Sequence, residues 1–260
     1  MNPKPAIWLV RKEAEAVADK LAAEMDCVVY RPWLDAGRSH KEIFQSAFMQ
    51  HSSWILVMAT GIAVRFLDGL PKDKNSDPAV VVLDEGCRYA IALLSGHEGG
   101  ANDLAVAVSN IFGAVPVITT ATEATKPLVV GIGCRKGVSV DQIEQAVCHA
   151  LGRYSLDQVR EIATVDLKID EPGLIEFSSR HAIPLRCFFR DDIAARNWVT
   201  EKSEWVRESI GLDGVCEPCA LMANPRGRLV VSKMALNGVA VAVVEDCGMP
   251  KSCVVAGEIR

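Results

Sequence analysis

The stretch IALLSGHEGGANDLAVAVSNIFGAVP, residues 91–116, joins an apolar run, a glycine-rich turn and a helical pattern. The run at 91–94 predicts a short strand, and SGHEGG at 95–100 predicts a tight turn. Apolar residues then recur at spacings of three and four, which predicts an amphipathic helix; they are Ala101, Leu104, Ala105, Val108, Ile111 and Phe112. A strand, a turn and a helix in this order form the repeating unit of α/β domains.

The turn at 95–100 also carries groups that can bind an anion or transfer a proton. The first N–H groups of a helix have no partner inside the helix, and the helix dipole adds partial positive charge there. Glycines let an anion approach such N–H groups closely. His97 can titrate near neutral pH, and Glu98 can accept or release a proton. A second interpretation stays open, in which the turn only links strand to helix and His97 caps or packs.

The composition narrows the class of protein. The chain has 260 residues, enough for two modest domains or one large one, and half of them are hydrophobic with few aromatics. This balance favours an α/β protein with buried parallel strands. The net charge is −5 and no long run of Lys or Arg occurs, which argues against a nucleic-acid partner. An anionic small molecule remains compatible with a local basic cleft.

The cysteines and the first residues of the chain indicate the cellular compartment of the protein. The nine cysteines are scattered and mostly lie in apolar runs, which is typical of reduced thiols. The apolar run at 7–10 leads directly into Arg11 and is too short for a signal peptide or a membrane span. We therefore predict a soluble, cytoplasmic protein that has no membrane partner.

Strand and helix patterns alternate along the chain. Apolar runs at 6–10, 28–30, 54–58 and 79–84 predict strands, and helical stripes between them predict a parallel sheet covered on both faces. Ligands of such sheets bind at the strand ends.

A polar, proline-terminated segment at 121–127 is the predicted linker between domains at 1–120 and 128–260. In the second domain, Asn237 and Gly238 predict a hairpin turn and therefore a mixed sheet.

The segment GIGCRKG, residues 131–137, resembles a nucleotide-binding loop without matching one. A dinucleotide loop needs glycine where Lys136 stands, and the Walker pattern needs a Gly-Lys-Ser or Gly-Lys-Thr that is absent. This argues against NAD and ATP. Arg135 and Lys136 at a strand–turn–helix junction are suited to holding carboxylates, although a solvated basic turn is the alternative.

Three further features have two interpretations each. Arg65 follows Thr60 and Gly61 after a predicted strand, where it either binds a ligand or forms a surface ion pair. Glu217 begins a helix, where its carboxylate is either a base or a stabiliser of the helix start. The lone CxxC pair, Cys216 and Cys219, has no second pair at zinc spacing, so we interpret it as packing.

Four segments taken together are more specific than any one alone. ATGIAVR (59–65), KDKNSDPAVVVLDEG (72–86), IALLSGHEGGANDLA (91–105) and GIGCRKG (131–137) resemble the CbiG family of cobalamin biosynthesis, the cobalt-precorrin-5A hydrolases of the anaerobic pathway. The resemblance covers most of the chain, including GVCEPCAL (214–221). It implies two three-layer α/β domains, the first with a mostly parallel, Rossmann-like sheet and the second with a mixed sheet. In departure from the family, the join between the domains is short and cysteines replace small residues at 216 and 219.

The resemblance implies a ring-contraction step on a cobalt-bearing tetrapyrrole. Water opens a δ-lactone on the A-ring acetate, and a two-carbon bridge leaves as acetaldehyde to give cobalt-precorrin-5B, which makes the enzyme a hydrolase acting on carbon–carbon bonds. Cobalt arrives inside the substrate, so the family implies no cofactor and no protein metal site. One alternative is a non-catalytic carrier of tetrapyrrole intermediates, and another is a nucleotide-binding α/β regulator. Neighbouring pathway enzymes and a second copy of the chain are further candidate partners.

The hypothesis places the substrate in a cleft between the domains. His97 or Glu98 is the acid/base group, and Glu217 is a second candidate base from the other domain. Backbone N–H groups of the glycine turn stabilise negative charge, while cationic side chains bind carboxylates. The predicted substrate-binding residues are Thr60, Gly61, Arg65, Ser95, Gly96, Gly99, Gly100, Asn102, Gly131, Gly133, Arg135 and Lys136.

Overall fold

A computed structural model describes residues 4–35, 37–196 and 198–247. The chain divides into two compact units, with the division between Thr120 and Ala121. The segment predicted as a linker, 121–127, contains a one-turn helix, α5 (Ala121–Ala124).

Unit 1 contains one sheet in its described residues, with the strand order β2-β1-β3-β4-β5-β6. The strands are β1 (Ala6–Leu9), β2 (Val28–Tyr30), β3 (Ser53–Val57), β4 (Ala79–Leu83), β5 (Tyr89–Leu94) and β6 (Val115–Val117). The helices are α1 (Glu15–Glu24), α2 (His40–Ala47), α3 (Thr60–Leu67) and α4 (Ala101–Phe112). The predicted helix after the glycine turn is thus confirmed.

Helices cover both faces of this sheet, as the continuous apolar strands predict. Leu21 of α1 and Ala105 of α4 belong to a buried cluster on one face. Phe44 of α2 and Ala63 of α3 belong to a cluster on the other. Burying apolar surface on both sides of the strands stabilises the three-layer arrangement.

The predicted mostly parallel sheet of unit 1 is confirmed, and β5 is the strand that reverses direction in it. β1 to β4 run parallel, but β5 pairs antiparallel with β4, and β6 runs parallel to β5. Only residues 84–88 separate β4 from β5, whereas a parallel crossover needs about a dozen residues or more. The short connection therefore forces a hairpin, and the sheet is mixed although mostly parallel.

Unit 2 contains a five-stranded mixed sheet in its described residues, with the order β10-β11-β7-β8-β9. The strands are β7 (Leu128–Cys134), β8 (Val159–Val165), β9 (Leu185–Phe188), β10 (Arg228–Leu236) and β11 (Val239–Glu245). The helices are α6 (Val140–Leu151), α7 (Pro172–His181), α8 (Arg190–Ala194), α9 (Glu204–Ile210) and α10 (Cys216–Ala223). The hairpin predicted at Asn237 and Gly238 is confirmed, and both residues have positive φ, 50° and 83°.

Three elements of unit 2 set up the site described below. β7 and β8 run parallel, so their carboxyl ends meet at one edge of the sheet. α10 packs on the face that includes Val129 and Ala163. The helix α9 was not predicted from the sequence. No helix in the described ranges has both the length and the apolar character needed to cross a bilayer.

Candidate functional site

The glycine turn of unit 1 satisfies most of its own polar backbone. The carbonyl oxygen of Ser95 accepts hydrogen bonds from the N–H groups of Gly99 and Ala101, both at 3.1 Å. The carbonyl of Gly96 accepts from Asn102 N–H at 3.0 Å. The first N–H groups of α4 therefore donate to carbonyls of the turn. The N–H of Gly99, a predicted anion donor, is already engaged, and the N–H of Gly100 remains the candidate donor.

Close packing explains two of the turn's glycines. A Cβ atom at Gly96 would lie 2.6 Å from Cγ2 of Thr120, and one at Gly99 would lie 2.9 Å from the carbonyl oxygen of Ser95. These approaches are too short for any side chain. The two glycines are therefore needed for the fold of the turn itself, and their predicted role in admitting a ligand stays a prediction.

Ser95 and Asn102 lie inside the turn and not on its surface. Both residues are buried. The Asn102 side-chain amide donates to Thr120 Oγ1 at 3.0 Å, which ties α4 to the end of unit 1. Their predicted role in substrate binding stays a prediction, and the contact that the structure provides is a structural one.

His97 and Glu98 are the exposed members of the turn. Glu98 accepts a hydrogen bond from Lys74 Nζ at 2.5 Å. This hydrogen bond is the main reason why the pKa of Glu98 lies below its ordinary value. A carboxylate held in the ionised form is a weaker base and cannot serve as an acid near neutral pH. The His97 ring has no hydrogen-bond partner among the described residues, so of these two candidates only His97 has an unengaged side chain.

The reversal of β5 separates two of the predicted binding groups. Thr60 and Gly61 begin α3 just beyond the carboxyl end of β3. The glycine turn follows β5, whose last residue Leu94 pairs with Val80 at the amino end of β4. The two groups therefore lie at opposite edges of the unit 1 sheet.

Arg65, in the last turn of α3, is exposed. It has no ion-pair partner in the part of the chain that the structure describes, so the structure provides no support for the surface ion-pair alternative.

In unit 2, Gly131 and Gly133 have different roles. Gly131 is buried in β7, opposite Ala242 and Ala163 on the two neighbouring strands. A Cβ atom there would overlap the carbonyl oxygen of Cys216 and lie 2.9 Å from Cβ of Ala220. Gly131 thus allows α10 to pack directly on the strand, and its predicted role in binding a ligand stays a prediction.

A pocket of about 550 Å³ opens at the carboxyl ends of β7 and β8. Its lining includes Gly133, Arg135 and Lys136, three of the predicted binding residues. The volume lies within the typical range of about 300–1,000 Å³ for small-molecule sites. The structure therefore brings part of the predicted loop to a cavity of suitable size.

All the charged side chains in the described lining of this largely apolar pocket are cationic. Four cationic side chains contribute, Arg135, Lys136, Lys168 and Lys233, and the described lining includes no Asp or Glu. The positive charge of Lys168 is balanced by an ion pair, because its Nζ lies 2.8 Å from the buried carboxylate of Glu171. The other three have no ion-pair partner within the described residues. Such a cavity attracts an anion.

Glu171 also fixes the turn that follows β7. Its carboxylate accepts the Gly137 N–H at 2.7 Å and a hydrogen bond from Lys168. Burial alone would raise the pKa of Glu171, but these hydrogen bonds outweigh burial and the pKa is lowered. Glu171 therefore stays ionised and holds the basic turn in place.

The Glu217 carboxylate is engaged in hydrogen bonds within unit 2. Its buried carboxylate accepts hydrogen bonds from the N–H and hydroxyl of Thr200 and, at 3.0 Å, from the N–H of Lys233. The pairing of β10 with β11 shifts between Val231 and Met234, so Lys233 lies in a bulge. Bulges often redirect a side chain beside a site. These contacts do not favour Glu217 as a base, and they show how it holds Lys233 at the pocket.

The thiols at the pocket are protonated. Burial raises the pKa of Cys134 to about 11 and that of Cys216 to about 12. Cys219 lies on the buried face of α10, and burial raises its pKa well above the ordinary value. The interpretation of the CxxC pair as packing is consistent with this burial. The described residues include no group of three or more His, Cys, Asp or Glu side chains placed to hold a metal ion.

Three pocket residues were missed from the sequence. Lys168 could have been found, because it follows β8 and parallel neighbours end at the same edge as Arg135. Lys233 reaches the pocket through an irregular register that no local pattern encodes. Trp205 lies on the unpredicted helix α9.

Comparison with known proteins identifies both halves of the chain. Residues 42–123 match the family described as "Cobalamin synthesis G N-terminal", and residues 128–244 match "Cobalamin synthesis G C-terminus".

Two curated relatives span most of the chain. The cobalt-precorrin-5A hydrolase of Salmonella typhimurium is 26% identical over 293 residues, covering 76% of this chain and 83% of the relative. That of Priestia megaterium is 22% identical over 305 residues, covering 79% and 81%.

A solved structure, CobE, a protein from the cobalamin (vitamin B12) biosynthetic pathway, is 26% identical, with a TM-score of 0.42, over 46% of this chain and 89% of its own. With both family regions matched along most of its length, the chain belongs to the CbiG family of cobalamin synthesis proteins.

Proposed function

We propose that this protein is a cobalt-precorrin-5A hydrolase. The observation that carries the proposal is the alignment with two hydrolases of that name, which covers 76% and 79% of this chain and 83% and 81% of theirs. Coverage of this extent includes both units, so the proposal concerns the whole activity and not one domain.

The proposed reaction has two steps. Water adds to the lactone carbonyl, and the acyl–oxygen bond breaks to give a carboxylic acid and an alcohol. The alcohol then loses its proton as the carbon–carbon bond to the macrocycle breaks, and the fragment leaves as acetaldehyde. The electron pair of that bond stays on the macrocycle, which takes up a proton. One water is consumed and one acetaldehyde is released.

The cationic pocket of unit 2 fits the charge of such a substrate. The macrocycle carries several carboxylates, and Arg135, Lys136 and Lys233 offer charge-assisted hydrogen bonds without competing carboxylates in the lining. Arginine can bind a carboxylate through two parallel N–H groups, which fixes orientation as well as position. We assign to these three residues the binding of the substrate's side chains.

His97 is the proposed acid/base group. It is exposed on the glycine turn, and its neutral imidazole can take a proton from water or from the alcohol formed by lactone opening. The neighbouring Glu98 is held as a carboxylate by Lys74. The N–H of Gly100 is the proposed donor to the oxyanion, since the N–H of Gly99 is engaged. Cobalt is part of the substrate, so the proposal needs no cofactor of the protein's own.

The carrier hypothesis is tested by the product. Purified protein in excess over cobalt-precorrin-5A is expected to release one equivalent of acetaldehyde, which alcohol dehydrogenase converts with loss of NADH absorbance. Protein inactivated by heat is the control for spontaneous release. If the intact protein binds the substrate but acetaldehyde forms no faster than in the control, the protein is a carrier and the proposed activity is wrong.

A further inference from the structure

We propose that Trp205 is the surface on which the conjugated ring of a planar, anionic ligand stacks inside the unit 2 pocket. The identity of that ligand as a tetrapyrrole rests on the proposed function. The stacking site itself rests on the geometry of Trp205, Arg135 and the cavity between them and the β10–β11 hairpin.

Trp205 is a large aromatic side chain that stays exposed in the folded protein. It lies in α9, lines the pocket and is 54% exposed. Its ring is not needed to fill the core, since the buried cluster beneath α9 uses Val206 and Ile210 of the same helix. An indole that lines a cavity offers a flat apolar face of the size that a conjugated ring can cover.

Arg135 connects the aromatic surface to the charged part of the pocket. Its guanidinium carbon lies 5.7 Å from the centre of the Trp205 ring, within the range of a cation–π contact. The guanidinium can keep this stacking while its N–H groups bind a carboxylate. A ligand with a flat ring and carboxylates at its edge would therefore meet both groups at once.

The charges select an anion for this surface. Lys136 and Lys233 lie in the same lining, and no Asp or Glu does so among the described residues. The wall formed by Leu236 and Val239 of the hairpin is apolar. Apolar walls with cations among them match a conjugated ring that bears carboxylates.

Contacts made by Asp213 hold the helix that carries Trp205. Asp213 follows α9 in the chain and accepts hydrogen bonds from Arg207 within the helix. It also lies 3.0 Å from Nζ of Lys202, so it joins the segments before and after α9. The carbonyl of Asp213 also accepts the Ser203 N–H at 2.9 Å. A preorganised aromatic surface loses little entropy on binding.

Trp198 provides a matched control. It is also exposed and also contacts an arginine, Arg196, at 5.7 Å from the ring centre, but it does not line the pocket. Both tryptophans are exposed and both contact an arginine, but only Trp205 lines the cavity.

The experiment uses uroporphyrin I, a planar ring with carboxylates around its edge, and the full chain. Quenching of tryptophan fluorescence gives the dissociation constant for wild type and for Trp205→Ala, Trp205→Phe and Trp198→Ala. We expect Trp205→Ala to weaken binding by about tenfold or more, because stacking on one aromatic side chain contributes about that factor or above. Trp205→Phe, which keeps an aromatic ring, and Trp198→Ala should each stay within about threefold of wild type.

Three results would overturn the inference: no binding of uroporphyrin by wild type, equal weakening by both alanine variants, or full binding by Trp205→Ala. Thermal unfolding of each variant shows whether the folded state is retained, and Trp205→Leu, which keeps an apolar side chain without an aromatic ring, replaces the alanine variant if that variant unfolds. The outcome is independent of catalysis, since the porphyrin has no lactone. Binding through Trp205 without acetaldehyde release would contradict the proposed function and leave this inference standing.

Discussion

Replacing His97 with alanine is expected to slow acetaldehyde release from cobalt-precorrin-5A by about 100- to 10,000-fold, the usual contribution of one general acid/base group. The imidazole is exposed on the glycine turn, where it has no competing hydrogen bond among the described residues. Its loss removes the proton acceptor while leaving the cationic pocket of unit 2 intact. Binding of the substrate should therefore change little, and the loss should fall on kcat.

Two substitutions control this experiment. Glu98→Gln removes a carboxylate that Lys74 already engages, and we expect it to cost less than about tenfold. His149→Ala changes an exposed histidine on α6, outside the pocket, and should leave the rate unchanged. A His97→Ala protein whose rate stays within about fivefold of wild type would remove His97 from the mechanism.

The second large effect concerns stability. Gly131→Ala is expected to destabilise unit 2 by about 3 kcal/mol or more, since the added methyl group would overlap the carbonyl of Cys216 and press on Ala220. Relief requires α10 to move off the sheet, and α10 carries the Glu217 contacts that hold Lys233. Urea unfolding followed by circular dichroism measures the change in the free energy of unfolding.

Gly133→Ala is the matched substitution two residues along the same strand. Its added Cβ would meet Cβ of Val215 at 3.2 Å, which a small displacement of Val215 can relieve. We expect a cost below about 1 kcal/mol. Equal unfolding midpoints for the two variants would show that α10 does not pack on Gly131 as described.

Local patterns predicted much of the fold. The spacing of apolar residues was sufficient to predict α4, and Asn237-Gly238 predicted the hairpin, because periodicity and turn chemistry act over a few residues. The direction of β5 was also available from the sequence. The connection at 84–88 is too short for a parallel crossover. Its length alone therefore predicts that β5 runs antiparallel to β4.

The meaning of individual glycines could not be read from the sequence. Gly96 packs against Thr120, and Gly131 packs against Cys216. Both neighbours are far away in the chain. A glycine that admits a neighbouring element looks the same in sequence as one that admits a ligand. Only the packed structure separates the two cases.

The pocket was predicted in part, for a related reason. Arg135 and Lys136 follow a strand, which is a local signal for a site at the sheet edge. The position of Lys233 depends on a bulge that Glu217 holds through a hydrogen bond. The position of Trp205 depends on a short helix that is held by hydrogen bonds to Asp213. These placements come from tertiary contacts that composition and spacing do not encode.

The most direct test of the proposed hydrolysis follows the oxygen of water. The reaction is run in water labelled with heavy oxygen, with enzyme in excess, and the cobalt corrinoid product is analysed by mass spectrometry. If water opens the lactone at its carbonyl, the product should carry one heavy oxygen in the freed carboxylate, in step with one equivalent of acetaldehyde. A corrinoid product that contains no label while acetaldehyde is released would contradict opening of the lactone by water at its carbonyl.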